Sequence, residues 1–126
     1  MKDEATVRLL LTSFNKDTSA QTALRTLLEE GLIACGTLIP GAQSLYHWQG
    51  RVEESEECIV LLKTSKEMLS LCMDRIAQLH PYQVPEIIAV RPEAVSAPYA
   101  DWVNEVLKIQ KRTFEETQLG DSNQNQ

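Results

Sequence analysis

The sequence predicts one α+β domain with a single hydrophobic core. Its 126 residues are 43% hydrophobic, which is enough apolar material for a core without disulfides or a structural metal. Apolar residues alternate in some stretches and recur at helical intervals in others, so both strands and helices are expected. We predict this domain over residues 1–117. The polar tail, 118–126, has little apolar surface to bury and is predicted to be disordered.

The first strand and the first helix are predicted near the N-terminus. Alternating apolar residues over 5–14 favour a mostly buried strand. A capping-box spacing at 18–21 and the glycine at Gly31 then predict a helix from Ser19 to Glu30. Together they form the first strand and helix unit of the fold.

The next predicted feature is a long β-hairpin. Its arms are Ile33–Trp48 and Arg51–Thr64, on either side of a tight turn at Gln49-Gly50. Pro40-Gly41 interrupts the first arm, where we expect a bend or a bulge. Such long arms leave unpaired backbone groups at the edge of the sheet. Either the acidic run at 53–57 protects this edge from pairing, or a second copy of the chain pairs with it. A solvated charged face is the other interpretation of that run.

A second helix and a short last strand follow the hairpin. A capping-box pattern at 64–67 starts the helix, and Pro81 ends it at His80 because proline disfavours helical geometry in the preceding residue. Glu86–Val90 is a short apolar strand, and Pro98 suits the first turn of a third helix. The predicted apolar face of that helix comprises Tyr99, Trp102, Val103 and Val106. This order is that of the ferredoxin-like (split βαβ) fold, an antiparallel sheet with two helices on one face, here with a long hairpin and a C-terminal helix.

The net charge indicates which class of ligand the protein is expected not to bind, and the cysteines indicate the redox state of its compartment. A formal net charge of −6 disfavours binding to nucleic acid, because that affinity comes largely from Lys and Arg. Cys35, Cys58 and Cys72 are odd in number, lack C-x-x-C spacing and lie in apolar runs, so we predict reduced core residues. The charged N-terminus and the short early apolar run predict neither export nor a membrane span, hence a cytoplasmic protein.

Three motifs follow one another along the chain. They are CGTLIPGAQSLYHWQG at 35–50, LHPYQVPEI at 79–87 and the Tyr99-x-x-Trp102 start of the last helix. In these motifs, and from about Val7 to Leu107, the sequence resembles the CutA family of divalent-cation tolerance proteins. The resemblance implies a subunit of a homotrimer whose long hairpin pairs edge to edge with neighbouring copies, as in the PII signalling proteins. It also implies a connection to copper or another divalent cation.

The resemblance implies candidate metal ligands as well. In the CutA family, metal binding is attributed to a thiol near the end of the first strand and to histidines before the Pro-Tyr pair. Here Thr12 and Leu79 occupy two of those positions, and a single His80 remains. We therefore predict His80 and Glu86 as candidate ligands of Cu²⁺ or another divalent cation. The alternative is that His80 caps the last carbonyls of the second helix.

A ligand pocket is a separate prediction. Lys63, at the end of an apolar strand, supplies a positive charge for an anion or carboxylate site shared with His80 and Glu86. The predicted pocket residues are Lys63, Tyr82, Trp48 and Trp102. Two alternatives stay open, in which the Lys63 ammonium extends into solvent and the aromatic side chains fill a core or an interface between copies.

These patterns predict a non-enzymatic homotrimer associated with divalent-cation (copper) tolerance, which binds metal or a small ligand in clefts between subunits. The second hypothesis is a PII-like signalling or scaffold trimer that binds a protein or a small anionic metabolite. The third is an enzyme that uses His80 and Glu86 as acid and base near Tyr82. No nucleophile or cofactor motif accompanies these groups, and the apolar flanks of Cys35 disfavour a catalytic thiol.

Overall fold

The computed structural model describes residues 6–109. Its elements, in chain order, are β1 (Val7–Phe14), α1 (Asp17–Glu29), β2 (Cys35–Trp48), β3 (Arg51–Ser65), α2 (Leu69–Leu79), β4 (Ile87–Val90) and a final helix, α3, over residues 97–109. The predicted tail 118–126 lies outside the described residues, as do both ends of the predicted 1–117 domain.

The four strands form one antiparallel sheet in the order β2-β3-β1-β4. Helices α1 and α2 pack on the same face of this sheet, because residues of both share one buried cluster with alternate residues of β1 and β3. This arrangement confirms the predicted ferredoxin-like fold. The largest fully buried side chains of the cluster include Phe14, Leu10, Leu27, Ile33, Leu62 and Ile76.

The opposite face of the sheet, which we call the open face, is covered by the described residues only at one end. Because side chains alternate along a strand, Leu9 and Leu11 of β1 lie on this face with their register partners Lys63 and Leu61 of β3. Helix α3 covers one end, where Val103 joins a second, smaller buried cluster. The exposed apolar residues on the rest of the open face are Ile39, Ile88 and Val90.

The structure confirms the predicted long hairpin, with its tight turn at Gln49-Gly50 and an irregularity near Gly41. Gln49 and Gly50 both have positive φ, 50° and 78°, which is the backbone of a two-residue turn matched to strand twist. The register of β2 against β3 shifts between Ile39 and Ala42, and Gly41 there has φ of 74°. The predicted interruption is thus a β-bulge within one continuous strand.

The hairpin projects beyond the sheet because β1 is shorter than β3. The pairing of β1 with β3 ends where Phe14 lies opposite Cys58, whereas β2 and β3 stay paired as far as Trp48 opposite Arg51. Residues 42–57 therefore form a two-stranded segment, which we call the projecting ribbon. Its exposed large apolar side chains are Leu45, Tyr46, Trp48 and Val52.

Both capping-box predictions are wrong, although both helices exist. Helix α1 begins at Asp17, two residues before the predicted start, and its N-cap Lys16 makes no side-chain cap. The acidic Asp17 in the first turn suits the positive end of the helix dipole. Ser65 remains in β3, where its Oγ accepts a hydrogen bond from the Met68 N–H (3.2 Å), and one turn separates it from α2. The end of α2 is confirmed, since His80 is extended with ψ of 135°.

Helix α3 begins at residue 97, which confirms the placement of Pro98 in its first turn. Its buried residues are Ala100, Val103 and Leu107. The prediction that Tyr99 and Trp102 belong to the apolar face is wrong, because they are 36% and 46% exposed. Tyr99 lies beside Cys35 of the edge strand β2, and Trp102 contacts the Tyr99 ring.

The structure separates the three cysteines into two classes. Cys58 and Cys72 are buried, as predicted. Burial raises the pKa of the Cys72 thiol to about 12, and it also raises the pKa of Cys58, with Asp17 adding to that shift. Cys35 is not a core residue, because it begins the edge strand β2 on the open face and is half-exposed.

A pair of buried threonines tests the packing of the core. Thr12 is 1% exposed, and its hydroxyl has no hydrogen-bond partner within residues 6–109. Thr12→Val should raise the free energy of unfolding by about 1 kcal/mol, because an unpartnered buried hydroxyl is costly. Thr64 is equally buried, but its Oγ1 donates to the Leu32 carbonyl at 2.7 Å, so Thr64→Val should lower that free energy by about 1 kcal/mol. Urea denaturation at one protein concentration measures both, and equal losses would contradict the prediction.

Candidate functional site

The segment that joins α2 to β4, residues 80–86, begins with a buried histidine. His80 Nε2 lies 2.6 Å from the carbonyl oxygen of Ser13, and His80 Nδ1 lies 3.2 Å from the backbone nitrogen of Tyr82. A carbonyl only accepts and a backbone N–H only donates, so Nε2 carries the hydrogen and Nδ1 accepts. His80 is therefore a neutral imidazole with both nitrogens engaged by the backbone.

The His80 imidazole also contacts two aromatic rings, those of Phe14 and Tyr82. The Phe14 ring is stacked on His80 with centroids 4.3 Å apart and an interplanar angle of 18°. The Tyr82 ring is tilted against it, with centroids 4.7 Å apart. These contacts fix the ring orientation and join the end of β1 to the start of the 80–86 segment.

Tyr82 connects this segment to the projecting ribbon. Its hydroxyl donates to Glu57 Oε2 at 3.3 Å, and Ser55 Oγ donates to Glu57 Oε1 at 3.1 Å. Burial, followed by the negative charge of Glu57, raises the pKa of Tyr82, so the phenol stays protonated and remains a donor. The site is thus a continuous set of contacts from β1 through His80 and Tyr82 to the base of the ribbon.

This geometry does not fit a divalent cation. Metal binding by His80 would require it to give up its bond to either the Ser13 carbonyl or the Tyr82 N–H. Glu86 is exposed just before β4, and within residues 6–109 no group of three His, Cys, Asp or Glu side chains is placed to hold a metal. The metal role of His80 and Glu86 stays a prediction, and we derive no chemistry from it.

The predicted pocket residues lie in different parts of the chain. Tyr82 is beside His80, whereas Lys63 lies on the open face and donates from Nζ to Thr37 Oγ1 at 2.9 Å. Trp48 is at the tip of the projecting ribbon, and Trp102 contacts Tyr99 on α3, with ring centroids 5.7 Å apart. One chain does not bring these residues into a single pocket, and a pocket between copies stays a prediction.

Sequence reasoning missed Phe14, Ser55 and Glu57 as members of the site. Ser55 and Glu57 are two residues apart in a strand and share a face, which the alternation rule indicates. No pattern in the sequence places that face beside Tyr82, because the contact depends on how the ribbon lies against the segment after α2.

Comparison with known proteins decides the family. Residues 8–106 match the family model described as CutA1 divalent ion tolerance protein. The chain belongs to the CutA1 family. It is 41% identical over 86 residues to the divalent-cation tolerance protein CutA of Thermus thermophilus, which covers 68% of this chain and 84% of that protein. The predicted CutA resemblance is confirmed.

Solved CutA1 structures share the fold. The crystal structure of divalent ion tolerance protein CutA1 from Ehrlichia chaffeensis superimposes with a TM-score of 0.79 at 29% identity, covering 82% of this chain and 96% of that one. CutA from Archaeoglobus fulgidus, named as a periplasmic divalent cation tolerance protein, has a TM-score of 0.76 at 26% identity, covering 80% of this chain and 98% of that one. Membership of CutA1 associates the chain with divalent-cation tolerance, and the family name designates a tolerance protein rather than a class of enzyme.

The compartment is a separate question. None of the helices in residues 6–109 has the length and the apolar character needed to cross a membrane. The predicted cytoplasmic location stays a prediction.

Replacement of His80 tests its structural role. His80→Ala removes two hydrogen bonds to backbone groups and a stacked ring, so the free energy of unfolding should fall by about 2–4 kcal/mol. Val84→Ala, in the same segment but 88% exposed, is the control and should change that free energy by less than about 0.5 kcal/mol. Denaturant unfolding at a fixed protein concentration measures both. A neutral His80→Ala variant would show that these contacts contribute little.

Proposed function

We propose that this CutA1-family chain works as a non-catalytic homotrimer in divalent-cation tolerance and binds a small ligand or a cation in clefts between its copies. The observation that carries the proposal is the projecting ribbon. Residues 42–57 continue beyond the end of β1 without a third strand among the described residues. A two-stranded ribbon is only marginally stable in water by itself.

The surface of the ribbon supports self-association. Leu45 and Val52 are each 66% exposed, and Trp48 lies at the tip. Strand β2 is at the edge of the sheet, so its outer backbone groups are available to a further strand. A ring of copies in which each ribbon pairs with the next closes the edges, and the family resemblance implies three copies.

The open face supports the same proposal from the other side of the molecule. Ile39, Ile88 and Val90 are exposed there, next to the half-buried Leu9 and Leu11. Apolar residues grouped on one face of a sheet are typical of a surface that another protein covers. Assembly through the ribbon and the open face would leave clefts between copies.

A PII-like signalling or scaffold trimer is the second candidate function. Lys63 favours this function, because its half-buried ammonium lies beside the apolar residues of the open face and pairs only with the Thr37 hydroxyl within residues 6–109. A single cation in such surroundings suits a small anionic ligand. His80 also favours the signalling or scaffold function over a metal-binding one, because both of its ring nitrogens are already bonded to backbone groups.

The assembly is tested by mass measurement. Light scattering at micromolar concentration should give about three times the chain mass of 14.2 kDa. Leu45→Lys places a charge on the ribbon and should reduce the mass, because a buried lysine without a partner is costly. Leu71→Lys, at a leucine that is 59% exposed on α2, is the matched control and should keep the trimer. A monomeric wild type, or equal behaviour of the two variants, would rule out assembly through the ribbon.

Titration calorimetry with Cu²⁺ and Zn²⁺ tests the ligand. We expect the wild type to bind one of these cations, Leu45→Lys to lose that binding with the assembly, and His80→Gln to keep it, because His80 has no free nitrogen. Absence of binding in the wild type would reject the cation and favour the anionic ligand. Loss of binding in His80→Gln alone, with the trimer intact, would identify His80 as a ligand.

A further inference from the structure

The open face carries a positive charge that the single chain does not neutralise. Lys63 is half-buried on this face, and its register partners, Leu9 of β1 and Cys35 of β2, bring no opposite charge. Its Nζ donates to Thr37 Oγ1 at 2.9 Å, and within residues 6–109 no carboxylate forms an ion pair with it. A hydroxyl oxygen accepts a hydrogen bond but carries no charge, so the ammonium group stays uncompensated.

Assembly through the open face would take this charge out of water. Val90 of β4 lies in register with Leu9, which lies in register with Lys63, so the exposed valine and the lysine belong to one row across the sheet. A second copy that covers the apolar residues of this row also covers the ammonium group. Burial of a lone ammonium group is unfavourable unless an anion pairs with it. The covering surface must therefore bring a negative group to Lys63.

One face of the projecting ribbon carries matching groups. Leu45 and Glu54 are register partners, and alternation along β3 puts Val52 on the same face. Leu45 and Val52 are each 66% exposed. Glu54 is also exposed, and its carboxylate makes no hydrogen bond or ion pair with the described part of the chain, residues 6–109. A carboxylate between two apolar side chains complements an ammonium group among apolar side chains.

The opposite face of the ribbon fits Lys63 less well. It carries Glu53, which is half-buried and lies opposite Tyr46, and Glu57. The Glu57 carboxylate already accepts hydrogen bonds from Tyr82 at 3.3 Å and from Ser55 at 3.1 Å. It is therefore satisfied within its own chain, whereas Glu54 is not.

The ribbon is long enough to cross the open face. Its arms, 42–48 and 51–57, each span about 23 Å at about 3.3 Å per residue. The four strands of the sheet occupy three spacings of about 4.8 Å, or about 14 Å in all. A ribbon of a second copy therefore reaches Lys63 on the inner strand β3 from either edge of the sheet.

We propose that the ribbon face with Leu45 and Glu54 lies on the open face of the next copy, where the Glu54 carboxylate pairs with the Lys63 ammonium. This inference rests on the proposed assembly and specifies which surfaces of two copies meet. The ion pair selects one docking orientation, because a ribbon that covers the open face without Glu54 at Lys63 leaves a buried ammonium group unpaired. Leu45, Val52 and the apolar residues of the open face supply the buried area.

Charge reversal with rescue tests this pairing, by light scattering over a dilution series. Lys63→Glu should raise the concentration at which the trimer is half dissociated by at least about tenfold, and Glu54→Lys in the same chain should restore most of the assembly. Glu53→Lys is the matched control, because it adds the same charge to the opposite face of the ribbon and should not restore assembly. Circular dichroism checks that each variant is folded.

Neutral substitutions give a second measurement without a reversed charge. Lys63→Met and Glu54→Gln should each weaken the assembly, and the double variant should weaken it by less than the product of the two fold-changes. With Glu53→Gln in place of Glu54→Gln, the fold-changes should multiply. Multiplication in both cases would overturn the pairing.

The outcomes separate this inference from the proposed function. A monomeric wild type would reject the assembly itself and this inference with it. A trimeric wild type whose Lys63→Glu variant is equally stable, or is rescued equally by Glu53→Lys, would overturn only the pairing. Calorimetry that shows inorganic phosphate or citrate bound to the wild-type trimer, and not to Lys63→Met, would also overturn it and would assign Lys63 to a small anionic ligand.

Discussion

The unequal length of neighbouring strands is the constraint on which the rest of the structure depends. Strand β3 has 15 residues and its central neighbour β1 has 8. A strand that continues past its neighbour pairs on one side only, so the ribbon leaves the sheet with exposed apolar side chains and an unpaired edge. The case for self-association follows from this mismatch, because the chain by itself has no third strand for the ribbon within its described residues.

Contacts of the His80 segment, residues 80–86, hold the base of the projecting ribbon in place within one chain. His80 holds the end of β1 through Ser13, and Tyr82 holds the base of the ribbon through Glu57. In both contacts the ring is the donor, His80 through Nε2–H and Tyr82 through its hydroxyl. The part of the chain that the family resemblance associates with metal is therefore occupied with holding the sheet, the segment after α2 and the ribbon together.

The open face carries a second group of polar side chains, separate from the His80 segment. Alternation along β3 turns Lys63 away from α1 and α2, on the face where Cys35 and Thr37 of β2 also lie. Helix α3 then brings Tyr99 to the sulfur of Cys35. Within one chain, Lys63 therefore lies beside Thr37 and apart from His80 and Glu86, and a pocket that joins them across copies stays a prediction.

Local patterns in the sequence determined the elements, the tight turn, the bulge and the end of α2, because alternation, Gly50, Gly41 and Pro81 act within a few residues of themselves. The motifs at 35–50 and 79–87 determined the family. The tertiary structure alone decided that His80 bonds to Ser13, 67 residues away, and that Tyr99 meets Cys35, 64 residues away. It also decided which cysteine is accessible and which threonine lacks a partner. These outcomes depend on strand register and helix placement, which are set by the packing of the whole core rather than by nearby residues.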